Sequence, residues 1–298
     1  MDAAATLDEP HPSARGGDAL ERARDYVNAN LFESLTQPRL AEAAGLSAYH
    51  FTRQFSARFG ASPMAYVRHR RLTAAASRLC FDAAPSLVDL AFDCGFDSQE
   101  GFTRAFKRAF GVSPGRYRRS GALANFEESA TMNDATPAPT SLTQSPASVD
   151  GAALRLAGLS AVFDDMTKAA IPGLWDRLIP RLPLEGQDGG GTFGVCMAAP
   201  EAGAMRYMAA VALAPQAPAP AGLEIIDLPS RHYLVFRQVL HGGALHPQMQ
   251  RAAREIWGER LPNSGHRLAQ TPDLEVYPPD FGPNRAGAWV EWWIPVEA

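Results

Sequence analysis

The chain has 298 residues, 46% of them apolar and 20% charged, which describes an ordinary globular protein long enough for two domains. Its net charge of −4 hides an asymmetry: residues 18–120 hold 15 Lys and Arg against 10 Asp and Glu, while residues 121–298 hold 12 against 19. Cys80, Cys94 and Cys196 lack metal-type spacing and are too sparse for a disulfide framework, and no apolar run reaches the ~18 residues of a membrane span; metal-finger, disulfide-stapled and membrane-spanning classes are excluded, and a reducing cytoplasm is expected.

Residues 1–17 are rich in Ala, Pro, Gly and Asp without periodicity and read as a disordered tail. From Asp18 onward, Leu20, Ala23, Tyr26, Val27 and Leu31 are spaced as on an amphipathic helix. Thr36 is placed to cap a second helix, with Pro38 in its first turn, running through Leu40, Ala43 and Ala44 to Gly45. Ser47 opens a third. Met64 to Leu79, rich in helix formers and free of breakers, reads as one long connecting helix. Pro85 restarts the cycle with a short helix through Asp89, Leu90 and Ala91, a turn at Gly95, and a helix capped by Ser98. Arg116 to Arg119 close this segment.

In the helix after Ser98, Phe102, Phe106 and Phe110 fall on one stripe, and Gln99, Glu100, Thr103, Arg104 and Lys107 lie away from it. A shift of about fifty residues lays Gly45 on Gly95, Phe51-Thr52-Arg53 on Phe102-Thr103-Arg104, Phe59-Gly60 on Phe110-Gly111 and Tyr66 on Tyr117. The chain therefore contains one helix-turn-helix pattern twice. A recognition helix buries its apolar stripe and offers polar side chains to the major groove. The exposed sets expected here are Tyr49, Thr52, Arg53 and Ser56 in the first copy, and Gln99, Glu100, Thr103, Arg104 and Lys107 in the second. Arg suits guanine, Gln suits adenine, and Thr either hydrogen-bonds a base edge or touches the thymine methyl. The alternative is a helical bundle whose Arg and Lys only solvate a surface; repetition at matched offsets argues against it. His50 and His69 are expected at the surface or facing phosphate, and Cys80 and Cys94 as structural thiols.

These motifs, Leu90-Ala91, Gly95-Phe96, Ser98-Gln99, Phe102, Arg104, Phe106-Lys107, Phe110-Gly111, Ser113-Pro114 and Tyr117-Arg118, resemble the DNA-binding domain of the AraC/XylS family of bacterial transcription regulators over residues 18–120. The resemblance implies an all-α domain of two helix-turn-helix motifs joined by a long helix, with double-stranded DNA as partner and RNA polymerase as a further contact. Glu100 departs from the pattern; it would accept from cytosine N4 or repel phosphate. Monomer and homodimer remain open, since one chain with two readers can meet an asymmetric site.

Residues 121–148 include the run Thr131 to Ser148, too poor in large apolar residues to order itself, and read as a linker. Beyond it, strand patterns at Leu154–Phe163, Gly191–Cys196, Arg206–Leu213, Leu223–Leu228, Tyr233–Phe236, Leu274–Tyr277 and Val290–Val296 alternate with helical patterns at Ile171–Leu182 and Pro247–Arg260. An α+β domain with a duplicated β-α-β-β unit and an antiparallel sheet is expected over residues 149–298.

Two carboxylates stand inside aromatic strands: Glu275 alternates with Tyr277, and Glu291 with Trp293. If both faces line one cavity, they make an aromatic, acidic pocket suited to a lipophilic cation; if they face water, they are surface decoration. Leu228-Pro229, Tyr233, Leu261-Pro262, Leu274 to Tyr277 and Glu291 to Val296 resemble a GyrI-like effector-binding domain, and the two domains together resemble the Rob-type arrangement of regulators. That resemblance implies a small-molecule effector held by Glu275, Tyr277, Glu291 and Trp293, with no metal or cofactor. Trp175 and Trp257 are expected in the core or as walls of the groove. Two other readings stay open: a hydrolase of electrophilic compounds using Glu275 or Glu291 as general base, and a module for a protein partner.

Overall fold

The computed structural model describes residues 14–81, 86–120, 142, 145–164, 167–201 and 203–297. The chain divides into two compact units, Met1–Thr136 and Pro137–Ala298.

The first unit holds seven helices among its described residues: α1 (Ala14–Ala29), α2 (Gln37–Ala44), α3 (Ala48–Phe59), α4 (Pro63–Phe81), α5 (Leu87–Asp93), α6 (Gln99–Phe110) and α7 (Pro114–Ser120). The backbone of α1 begins at Ala14, ahead of the expected start at Asp18; the rest of the expected tail, residues 1–13, lies outside the described residues. Two cores form. Leu20, Ala23, Val27, Leu40, Phe51, Phe55 and Val67 make the first, and Leu72, Ala75, Ala76, Leu79, Leu90, Phe102, Phe106, Phe110 and Tyr117 the second. Helix α4 serves both, because Val67 projects into one core and the residues at 72, 75, 76 and 79, spaced for a single helical face, project into the other. Burying each phenylalanine contributes roughly 1.5–3 kcal/mol, so the repeated aromatic stripe is the main cohesion of each reader. Arg71 braces the same helix by donating from Nε to Leu31 O (2.7 Å) and from Nη2 to Glu33 O (2.7 Å).

The repeat extends to ring geometry. Phe55 sits 4.5 Å from Phe59 and 5.4 Å from Tyr66, and Phe106 sits 4.5 Å from Phe110 and 5.4 Å from Tyr117. Both readers start on serine caps, Ser47 Oγ accepting from His50 N (3.3 Å) and Ser98 Oγ from Gly101 N (3.1 Å). Both end at a left-handed glycine, Gly60 at φ 74° and Gly111 at φ 75°, a conformation that costs a side-chain-bearing residue more. Thr36 occupies the cap position of α2 with Pro38 after it, but its side chain makes no capping bond.

The second unit is one eight-stranded antiparallel sheet with helices packed on it. Its strands are β1 (Ala147–Gly151), β2 (Leu154–Phe163), β3 (Gln187–Ala198), β4 (Met205–Leu213), β5 (Glu224–Leu228), β6 (Arg231–Val239), β7 (Asp273–Tyr277) and β8 (Trp289–Val296). In space they run β1-β6-β8-β7-β3-β4-β2-β5. Helix α8 (Pro172–Leu178) packs Leu174 and Leu178 against Cys196, Tyr207 and Ala209. Helix α9 (Leu245–Glu255), continued by a π-helical turn at Ile256–Arg260, is tied to the sheet through Gln238, whose Nε2 donates to Gln248 O (3.0 Å) and whose Oε1 accepts from Trp292 Nε1 (3.1 Å).

Strand β1 corrects the expected linker boundary. Its register runs from Ala147 opposite Val235 to Gly151 opposite Arg231, and Leu142 forms an isolated bridge with Gln238, so backbone pairing with β6 orders a stretch too polar to order itself. Residues 121–141 of the expected linker lie outside the described residues.

Candidate functional site

The register of the central strands fixes which side chains share a face. One row across the sheet reads Phe236, Trp292, Glu275, Gly194, Ala209 and Leu159 from β6 to β2. The next row reads Arg237, Glu291, Val276, Phe193, Ala210 and Gly158. Successive rows point to opposite faces. Glu275 and Tyr277 therefore lie on the face covered by α8 and α9, while Glu291 and Trp293 lie on the other. The expected common cavity lined by all four does not form, because Val276 rather than Glu275 stands opposite Glu291.

On the helix-covered face Glu275 is 9% exposed. Its Oε2 accepts hydrogen bonds from Tyr207 OH (2.8 Å) and Tyr277 OH (2.7 Å), and Trp175 Nε1 donates in turn to Tyr207 OH (3.3 Å). The Trp175 ring stands 5.5 Å from that of Tyr277 in an edge-on arrangement, and Phe281 closes on the other side of Tyr277 at 4.8 Å. Gly194 lies beneath: a Cβ there would collide with the Tyr207 hydroxyl and come within 2.6 Å of Glu275 Oε2, so the absence of a side chain on β3 makes room for the cluster. Burial, then the neighbouring Glu275 carboxylate, hold both phenols well above the ordinary tyrosine range. The phenols stay protonated and donate, and an ionised carboxylate can only accept.

The opposite face treats its glutamate differently. Glu291 pairs with Arg237 at 2.6 Å and accepts from Trp293 Nε1 at 3.0 Å; Arg237 also lies 4.3 Å from the Trp289 ring. Trp293 packs on Tyr233 at 5.4 Å. Here charge is neutralised by a neighbour and the aromatics are a packing surface. Trp257 is 1% exposed and belongs to the interior, whereas Trp175 walls the carboxylate cluster. Sequence reasoning missed Tyr207, Phe281 and Gly194. Tyr207 alternates with apolar residues like any strand residue, and only the pairing of β4 with β3, and β3 with β7, carries it to Glu275.

In the first unit, α3 presents Tyr49, Thr52 and Arg53 at partial exposure, with Arg53 Nη1 donating to Tyr49 OH (2.8 Å). Ser56 is also partly exposed, but its hydroxyl oxygen is buried. His50, expected at the surface, is 4% exposed; its Nδ1 lies 3.0 Å from the capping Ser47 Oγ, which reinforces the start of α3. On α6, Glu100, Arg104 and Lys107 are exposed and Gln99 and Thr103 partly so, all away from the buried Phe102, Phe106 and Phe110. His69 is half-buried on α4. Cys94 is buried, with its Sγ 3.5 Å from Arg71 O, and burial pushes the thiol up to about 11, consistent with a structural role. The Cys80 side chain lies outside the described residues. Among the described residues, no group of three or more metal-type side chains could hold an ion, and no helix is long and apolar enough to cross a membrane.

Comparison with known proteins divides the chain at the same place. The family described as a helix-turn-helix domain matches residues 40–120, and the family described as a GyrI-like small molecule binding domain matches residues 146–297. The chain belongs to the GyrI-like family and carries an AraC-type helix-turn-helix domain. Transcriptional regulator Rob of Salmonella typhimurium is 39% identical over 101 residues, 34% of this chain and 35% of that protein. The right origin-binding protein of Escherichia coli K12 is 40% identical over 95 residues, 32% of each chain. The multiple antibiotic resistance protein MarA of Salmonella typhimurium is 37% identical over 94 residues, 32% of this chain and 73% of that protein. The aligned stretch thus spans about a third of Rob and of the right origin-binding protein. A solved structure of SAV2435 bound to tetraphenylphosphonium is 24% identical, covering 51% of this chain and 94% of that one at a TM-score of 0.43. In this AraC-type, GyrI-like chain the paired serine-capped helices fall within the first match, and the Glu275 cluster falls within the second.

Proposed function

We propose that the chain is a one-component transcription regulator: the paired helix-turn-helix readers bind double-stranded DNA, and the second unit binds a small lipophilic cation at Glu275. The observation that carries the effector reading is a nine-tenths buried carboxylate gripped by two phenols beneath the Trp175 ring. Such a carboxylate supplies charge, and the rings supply faces for a cation. The Arg237 pair at Glu291 supports leaving Glu291 and Trp293 out of this site. Tyr49, Thr52, Arg53, Gln99, Glu100, Thr103, Arg104 and Lys107 are the proposed DNA-facing set.

We further infer that the second unit is a duplication. The segments β2-α8-β3-β4 and β6-α9-β7-β8 occupy mirrored places, β5-β2-β4-β3 on one side and β1-β6-β8-β7 on the other. The proposed division is a reader domain ending near residue 120 and an effector domain beginning at β1, in a cytoplasmic protein that contacts RNA polymerase and has no enzymatic step. Regulation requires the effector to bind the DNA-active and DNA-inactive states with different affinity.

All five tryptophans follow residue 137, so intrinsic fluorescence reports only the second unit. Titrating the full chain with tetraphenylphosphonium should quench that fluorescence saturably. Glu275→Gln should abolish the quench and Glu291→Gln should keep it. Equal quenching in both variants would sink the effector assignment.

A further inference from the structure

The two readers carry a threonine at the same place in the repeat, Thr52 and Thr103, each followed by an arginine. Their hydroxyls are in different situations. Thr52 Oγ1 donates to Ala48 O at 2.8 Å and receives Gln37 Nε2 at 2.6 Å. Gln37, the first residue of α2, is 8% exposed, and its amide also reaches Ala48 O at 3.4 Å. Were the amide turned over, Gln37 Oε1 would take the hydroxyl proton instead. A hydroxyl has one proton to give, and in either orientation that proton is used inside the reader. The second reader lacks this clamp: α5 begins with Leu87 after its cap Ser86, where α2 begins with Gln37 after Thr36, and no hydrogen bond engages the Thr103 hydroxyl among the described residues.

We infer that Thr52 reads DNA through its methyl group, against the C5-methyl of a thymine in the major groove, and that Gln37 is the positioning residue that imposes this. Thr103 keeps its hydroxyl for donation to a base-edge acceptor. Guanine O6, guanine N7 and thymine O4 all need a donor that Thr52 cannot supply, and a lone pair left on Oγ1 could accept only from adenine N6 or cytosine N4, whereas a thymine methyl contact needs neither donor nor acceptor. The apolar part of a half-exposed threonine is then what the first reader offers at this position. The inference rests on the DNA-binding reading of α3 and makes it specific: one thymine is sensed by the first reader as a methyl group.

The test uses the full chain and the tightest duplex selected from a random-sequence pool, with binding followed by anisotropy at one fixed salt concentration. Replacing each thymine in turn by uracil removes only the methyl. One position should weaken binding about fourfold, the worth of one buried methyl group. Thr52→Ser, which keeps the hydroxyl and loses the methyl, should bind thymine and uracil duplexes alike. Thr52→Val, which keeps the methyl, should hold the thymine preference. Because valine strands the Gln37 amide, the pair Gln37→Leu with Thr52→Val is the second variant, with the same expectation. A thymine preference kept by Thr52→Ser and lost by both valine variants would overturn the assignment, as would indifference to uracil at every position. Recovery of no duplex by the native chain would overturn the DNA-binding reading itself, a result distinct from tight binding without methyl sensitivity.

Discussion

The two faces of the sheet hold similar sequence fragments, a glutamate alternating with an aromatic residue, and put them to opposite use. Beneath α8, Glu275 accepts hydrogen bonds from two phenols. Across the sheet, Glu291 sits against Arg237, with their side chains 15% and 48% exposed. One carboxylate is held by phenolic donors among aromatic rings, the other by a guanidinium. The lesson is that the partner, not the residue or its strand, decides whether an acidic side chain is a site.

The strongest way to break this contrast is to remove each carboxylate. Glu275→Ala leaves two buried hydroxyls without their acceptor, at about 1–3 kcal/mol each, so urea unfolding of the second unit followed by tryptophan fluorescence should show a loss of about 2–6 kcal/mol. A loss under about 1 kcal/mol would mean that the phenols find other partners and that the cluster is not a closed network.

A second measurement sharpens the contrast through pH. Both Tyr207 and Tyr277 are raised above the ordinary tyrosine range in the folded state, chiefly by burial. Their contribution to stability is therefore complete below the unfolded tyrosine pKa of about 10 and shrinks as pH rises beyond it. Absorbance titration of tyrosinate should find at least two of the seven tyrosines silent until the second unit unfolds in alkali. Ordinary titration of all seven would place these phenols in water.

The smallest effect belongs to the other face. Glu291→Gln removes a partly exposed ion pair while its amide oxygen can still accept from Trp293, so stability should change by about 1 kcal/mol or less. A larger loss in the same urea experiment would mean that the Arg237 pair does more than neutralise charge.

The readers were legible in the sequence because what defines them is local. Caps at Ser47 and Ser98, left-handed stops at Gly60 and Gly111, and phenylalanines one helical turn apart all lie within about a dozen residues of one another. The hydroxyls were not equally legible. Ser56 looked exposed by spacing but turns its hydroxyl oxygen inward, and the Gln37 to Thr52 bond joins residues 15 apart across two helices. The same distance effect governs the effector cluster, where Tyr207 and Glu275 are 68 residues apart.

What the amino-acid order determined alone was the periodic part of the molecule: two matched helical readers and a series of strands and helices with Glu275 beside Tyr277. Tertiary structure decided which side chains share a face, and it did so by register. Val276 stands opposite Glu291; sliding that pairing by one residue would have set the two glutamates side by side. Alternation along a strand says only that neighbours diverge, whereas the pairing of strands brought together from distant parts of the chain says which residues meet.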